Sequence, residues 1–134
     1  MTLTLKKKDI LILCSGGVRG FAHLGALYYL EKIGILGDFV ELCGVSVGAM
    51  ILGLYLIGYS PYELFDFLLD YDISKLQKYN IENIDKYGFD SGEEMEKILN
   101  QLIAKKGKSP DITLLELYQK TNKKFVAYTS CVNT

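Results

Sequence analysis

The sequence predicts an α/β fold, a parallel-rich sheet flanked by helices, on three observations. Ile10 to Leu13 is a continuous apolar run, ILIL, the mark of a strand buried on both faces of a parallel sheet, and Phe39 to Cys43 is read as a second strand. Glycine-bearing segments follow, Ser15-Gly16-Gly17-Val18-Arg19-Gly20 after the first run and Gly44-Val45-Ser46-Val47-Gly48 after the second. Between them Phe21, Leu24, Leu27, Tyr28 and Leu30 recur at helical spacing and Gly34 offers a C-cap, which completes a β-α-β unit. A helical crossover makes the two strands parallel, so both glycine loops emerge at the same carboxyl edge of the sheet.

The remaining elements follow in order. From Leu42 to Tyr62 no residue is charged, yet four glycines, Ser46, Ser60 and Pro61 interrupt the stretch. A helix from Gly48 to Ile57 extends only about 15 Å, half of a hydrocarbon core of about 30 Å. A short helix that is apolar all round is a buried central helix. Gly58 stops it, and Ser60-Pro61-Tyr62-Glu63 is a capping box with proline at the first helical position, opening a helix to about Leu69. Asp72 to Phe89 is polar and weakly patterned, a surface or lid segment with one short helix after Ser74. Ser91-Gly92-Glu93-Glu94 is a second capping-box pattern, ahead of Met95, Ile98, Leu99, Leu102 and Ile103 at helical spacing, with Gly107 as the stop. A short helix begins at Thr113 to Tyr118, and Lys124 to Thr129 is a third buried strand. No internal repeat or low-complexity linker is present.

Composition narrows the function classes. The 134 residues suffice for one domain with a core, or for part of one. With 15 basic and 16 acidic residues the net charge is -1, which gives no electrostatic case for a nucleic-acid partner. Lys6, Lys7 and Lys8 form the sharpest basic cluster and are read as solubilising the approach to the first strand. Three cysteines, without a C-x-x-C pair, give neither a disulfide framework nor a zinc pattern. Cys14, Cys43 and Cys131 each end or follow an apolar run and are read as small buried hydrophobes, which with the short N-terminal apolar run suits a cytoplasmic setting.

The chemistry centres on Glu41 to Met50, ELCGVSVGAM, whose core is G-x-S-x-G. After a strand and before a helix, this is the pattern of a nucleophile elbow, with Ser46 as the candidate nucleophile at the turn. Gly44 and Gly48 flank it because a side chain at either position would collide in so tight a turn. At a helix N-terminus the unpaired N–H groups and the dipole favour developing negative charge. The loop at Ser15 to Gly20 is neither G-x-G-x-x-G nor a P-loop. As an oxyanion hole, the N–H groups of Gly16 and Gly17 would point at a carbonyl oxygen held beside Ser46.

The run LCSGGVRGFAHLGAL, the spacing to GVSVG and the segment GAMILGLYLIGYSPYEL resemble the N-terminal half of the patatin-like lipid acyl hydrolases. Gly16, Gly17, Arg19 and Gly20 match that family's GGGxRG block, while Ser15 stands where its first glycine usually lies. The resemblance implies an incomplete patatin-like domain spanning residues 1–134, with oxyanion loop 15–20 and elbow 44–48, and hydrolysis of lipid acyl esters without metal or cofactor. It implies Ser46 as catalytic residue, Gly16 and Gly17 as oxyanion donors, and Gly44, Gly48, Arg19 and Gly20 as support. It also implies a lipid or acyl-ester substrate, peripheral contact with a membrane, and a Ser-Asp dyad whose aspartate lies in an Asp-Gly motif. No Asp-Gly dipeptide occurs in the chain. Asp90-Ser91-Gly92 is a near miss that the capping pattern explains, and His23, the single histidine, is expected to pack or bond a helix end. The expectation is an N-terminal part that a further segment or second chain completes. The alternatives are a catalytically deficient lipid- or protein-binding module lacking the aspartate and, more distantly, a nucleotide-binding β-α-β protein.

Overall fold

The computed structural model describes residues 10–72 and 91–131. Three strands, β1 (Ile10–Leu13), β2 (Glu41–Val45) and β3 (Lys124–Tyr128), form one parallel sheet in the order β1-β2-β3. Helix α1 (Phe21–Lys32) connects β1 to β2; α2 (Val47–Ile57), α3 (Pro61–Asp70), α4 (Glu93–Lys105) and α5 (Leu114–Thr121) lie between β2 and β3. This is the α/β architecture expected, although β2 starts and ends two residues later than the strand expected over Phe39 to Cys43. The expected lid or surface segment falls mostly on residues 73–90, outside the described residues.

Helix α2 is the hub. Ile51, Leu52, Leu54, Leu56 and Ile57 are all buried in it, Leu52 completely, which fits a helix with apolar residues all round. It lies on the sheet face formed by the register partners Leu11, Leu42 and Phe125, and Leu13, Gly44 and Ala127. Leu24 and Leu27 of α1, Leu64 of α3, Leu102 of α4 and Leu117 of α5 complete one continuous core.

The strand β1 is not buried on both faces. Ile10 and Ile12 are 50% and 68% exposed, and Val45 and Tyr128 on the same side of the sheet are also exposed. The strand order supplies the reason: two successive crossovers stepping in one direction carry their helices to one side of the sheet when both have the usual right hand. The other side therefore stays uncovered among the described residues, save where Cys43 is sheltered between its neighbours and donates its thiol hydrogen to the Glu41 carboxylate at 3.6 Å. The expectation of three buried cysteines holds only for Cys43, since Cys14 and Cys131 are exposed.

Helix ends follow local chemistry. Ser60 and Glu63 form the reciprocal capping box ahead of α3, with Pro61 in the first turn, and Thr113 with Glu116 forms another ahead of α5. The reciprocal Ser91 box does not form: Gly92, at φ 76°, takes the N-cap position of α4, and Ser91 Oγ accepts the Glu93 N–H at 3.5 Å. Gly34, Gly58 and Gly107 end α1, α2 and α4 at positive φ as the sequence implies. At its far end α4 is tied down: Tyr59 donates its hydroxyl to Leu102 O at 2.9 Å, and Lys106 pairs with Glu63 at 2.7 Å while lying over the Tyr59 ring. No helix among the described residues is long and apolar enough to cross a membrane.

Candidate functional site

Ser46 stands alone between β2 and α2, with φ 52° and ψ -126°. Positive φ is a strained state for a non-glycine residue, costing on the order of 1–3 kcal/mol, and it persists only where the surroundings enforce it. They do so through two glycines. A Cβ on Gly44 would lie 2.4 Å from Ala49 Cα, and one on Gly48 would lie 2.4 Å from the Leu13 carbonyl oxygen. The first turn of α2 is thus pressed against the ends of both β1 and β2, backbone on backbone.

The loop after β1 closes on the same place. Residues Gly17–Gly20 form a single 3-10 turn in which Arg19 N–H donates to Gly16 O at 3.0 Å. Gly17 has φ 51°, and a Cβ on Gly16 would come within 3.1 Å of Gly20 N. The opening N–H groups of such a turn have no partner within it, which leaves those of Gly17 and Val18 available to a ligand. Gly20 is buried against Val47, whose methyl group would stand 2.4 Å from an added Cβ. Both loops meet at one sheet edge, in keeping with the register of Leu13 opposite Gly44.

Ser46 and Gly17 border one cavity of about 480 Å³. Its described lining contains no carboxylate, imidazole, ammonium or guanidinium; Met50, Ile51 and Leu54 of α2, Phe67 and Leu68 of α3, and Ile98 and Leu99 of α4 give its character. Among the described residues, the polar side chains on it are Ser46 and Tyr71. Burial pushes the Cys43 thiol and the Tyr55 and Tyr59 hydroxyls up, Lys106 and Ser60 hold the Glu63 carboxyl down, and burial lowers Lys123, but none of these groups borders the cavity. No pre-tuned acid or base therefore faces Ser46 among the described residues.

The other candidates fall around this centre. Gly16 sits one residue outside the cavity lining, and the Arg19 side chain is exposed and pairs with no described residue. His23 Nε2–H donates to the Cys14 carbonyl at 2.9 Å, which ties α1 to the base of the glycine loop. The expected bond to a helix end is thus a bond to the end of β1 instead, and His23 is absent from the cavity lining. Asp90 lies outside the described residues. No group of acidic, His or Cys side chains among the described residues is arranged to hold a metal ion. What sequence reasoning missed is the cavity: Leu64, Phe67 and Leu68, like Met95, Ile98 and Leu99, carry the spacing of ordinary core positions.

Comparison with known proteins identifies the family. The family Patatin-like phospholipase matches residues 11–133. Over 129 residues, 91% of this chain, the sequence is 37% identical to Probable lipid hydrolase 463L of Invertebrate iridescent virus 6. It is 40% identical over 55 residues, 41% of the chain, to Lysophospholipase NTE1 of Meyerozyma guilliermondii. It is 51% identical over 45 residues, 34% of the chain, to Lysophospholipase nte1 of Emericella nidulans. The matched part is 43% of the viral protein and 4% and 3% of the two lysophospholipases. No solved structure matches significantly.

Proposed function

Because the chain belongs to the patatin-like phospholipase family, we propose that it carries the nucleophile and oxyanion site of a lipid acyl hydrolase. The observation that supports this best is Ser46, held at positive φ at the N-terminus of α2 and opening with Gly17 onto one apolar cavity. Ser46 Oγ attacks the ester carbonyl, and the carbonyl oxygen gathers negative charge beside the N–H group of Gly17, the member of the expected Gly16–Gly17 pair that borders the cavity. Gly44, Gly48 and Gly20 hold the geometry, and Arg19 closes the loop through its backbone. The carbon–oxygen bond to the alcohol then breaks, the alcohol leaves with a proton, and water releases the acid from the acyl-serine.

The serine proton needs an acceptor, a contribution typically of about 10²–10⁴-fold. By family resemblance that acceptor is an aspartate, and none borders the cavity among the described residues. This observation favours a second reading, a lipid-binding module without turnover. The deciding experiment treats the folded chain with an activated alkyl phosphonate and locates the adduct by mass spectrometry. Labelling confined to Ser46 and lost in Ser46→Ala supports the hydrolase site; no labelling above that of the variant removes it. Turnover of activated esters is expected to be slight for residues 1–134 and to rise in a longer polypeptide that adds an Asp-Gly segment.

A further inference from the structure

We propose that α4 is the length-selecting wall of an acyl site, and that the cavity takes a medium-length saturated chain, octanoyl to dodecanoyl. This rests on the reading of Ser46 as the acyl-accepting group.

Three helices build the cavity with regular faces. Along α2, Val47, Met50, Ile51 and Leu54 run away from Ser46, and eight residues at 1.5 Å each place Leu54 about 12 Å from it. Leu54, Leu64 and Leu102 line that part of the cavity and are buried core residues, and they are taken as its closed end. At the opposite end Ser46 and Gly17 are exposed. So taken, the cavity is an apolar slot with Ser46 and Gly17 at its mouth. Its volume, about 480 Å³, has room for roughly 16 heavy atoms at about 30 Å³ each. With no charged group on the described lining, a headgroup gains nothing inside, whereas an unbranched hydrocarbon does.

Helix α4 is the wall best placed to read length. Met95, Ile98, Leu99 and Leu102 recur at i, i+3, i+4 and i+7 and run alongside the slot. Ile98 and Leu99 are only half-buried, so their side chains have unsatisfied apolar surface that a chain in the slot would cover. Each methylene added within the slot strengthens binding roughly fourfold, and methylenes beyond the closed end add little.

The test is titration calorimetry of the folded Ser46→Ala protein with butyrate, hexanoate, octanoate, decanoate and palmitate below their micellar concentrations. Affinity should climb about fourfold per methylene to decanoate and then level off or fall. Ile98→Ala should move the optimum to longer chains and Leu99→Trp to shorter ones. The second variant also places the chain's only tryptophan in the slot as a fluorescence reporter. An unbroken rise through palmitate, or a length profile unchanged in both variants while each melts cooperatively, overturns the proposal. The catalytic reading is separated by phosphonate labelling of wild-type protein. Length-dependent binding with an unreactive Ser46 supports the slot and removes the nucleophile. A reactive Ser46 with a flat length profile keeps the nucleophile and removes the slot.

Discussion

Gly48 Cα faces the carbonyl of Leu13 so closely that a Cβ would stand 2.4 Å from its oxygen. The oxygen is strand backbone and cannot swing aside, so a methyl group must push the whole start of α2 away from β1. Gly48→Ala should cost about 3 kcal/mol, the upper end of overpacking effects, and should abolish phosphonate labelling of Ser46. Gly53, in the same helix, has nothing closer than Phe125 at 3.6 Å. Gly53→Ala should be neutral or stabilising by up to about 1 kcal/mol, since alanine is the better helix former. Denaturant midpoints of both variants check the pair; equal effects would mean that α2 does not sit on the strand ends.

The backbone strain at Ser46 has its own signature. Glycine accepts φ 52° without the clash that alanine suffers. Ser46→Gly should therefore be more stable than Ser46→Ala by about 1 kcal/mol, although both lack the hydroxyl. Thermal melts of the two variants decide it, and alanine equal to or above glycine would contradict the turn geometry.

The cysteines should separate in reactivity. Cys43 is buried and its thiol is pushed up, first by desolvation and then by the Glu41 carboxylate, so it is neither reachable nor readily ionised. Cys14 is exposed at the end of β1. Iodoacetamide followed by peptide mapping should modify Cys14 more than about a hundredfold faster than Cys43, whose labelling must wait for the fold to open. Comparable rates would place Cys43 at the surface.

Acid should weaken one specific link. The Glu63 carboxyl is held below its usual range chiefly by Lys106 Nζ at 2.7 Å, with the Ser60 N–H second. Because the folded value is the lower one, the stabilisation is present above the unfolded glutamate value of about 4.3 and is lost as pH falls through the folded value. The pair is half exposed, so the effect is at most about 1 kcal/mol. Glu63→Gln can still cap α3 but cannot pair with Lys106. Its deficit in melting temperature at neutral pH should vanish at acid pH, and a deficit that persists there would assign the loss to capping instead.

Legibility in the sequence tracked how local each cause was. Gly44, Gly48 and Ser60-Pro61 declare themselves because turns and caps are settled within a few residues of chain. Ile10 and Ile12 do not, because an apolar run reports that a strand is hydrophobic and leaves open which side a helix will cover. Cys14 misled for the same reason. Ser91 offered a cap, but Gly92 adopts the left-handed conformation directly before α4 and takes its place. The candidate serine was readable from five letters. Its cavity was not, because Ile98 and Leu99 bear the same spacing whether they touch other side chains or a ligand.

The attachment of one helix sets what the site can tolerate. α2 meets the sheet through backbone contacts at Gly44 and Gly48, with no side chain between them to change rotamer, so it has little freedom to slide. The side of the cavity that carries Ser46 is therefore fixed to the strand ends, and the serine keeps its place whatever the girth of the ligand beside it. Amide exchange should show this as slow exchange along α2.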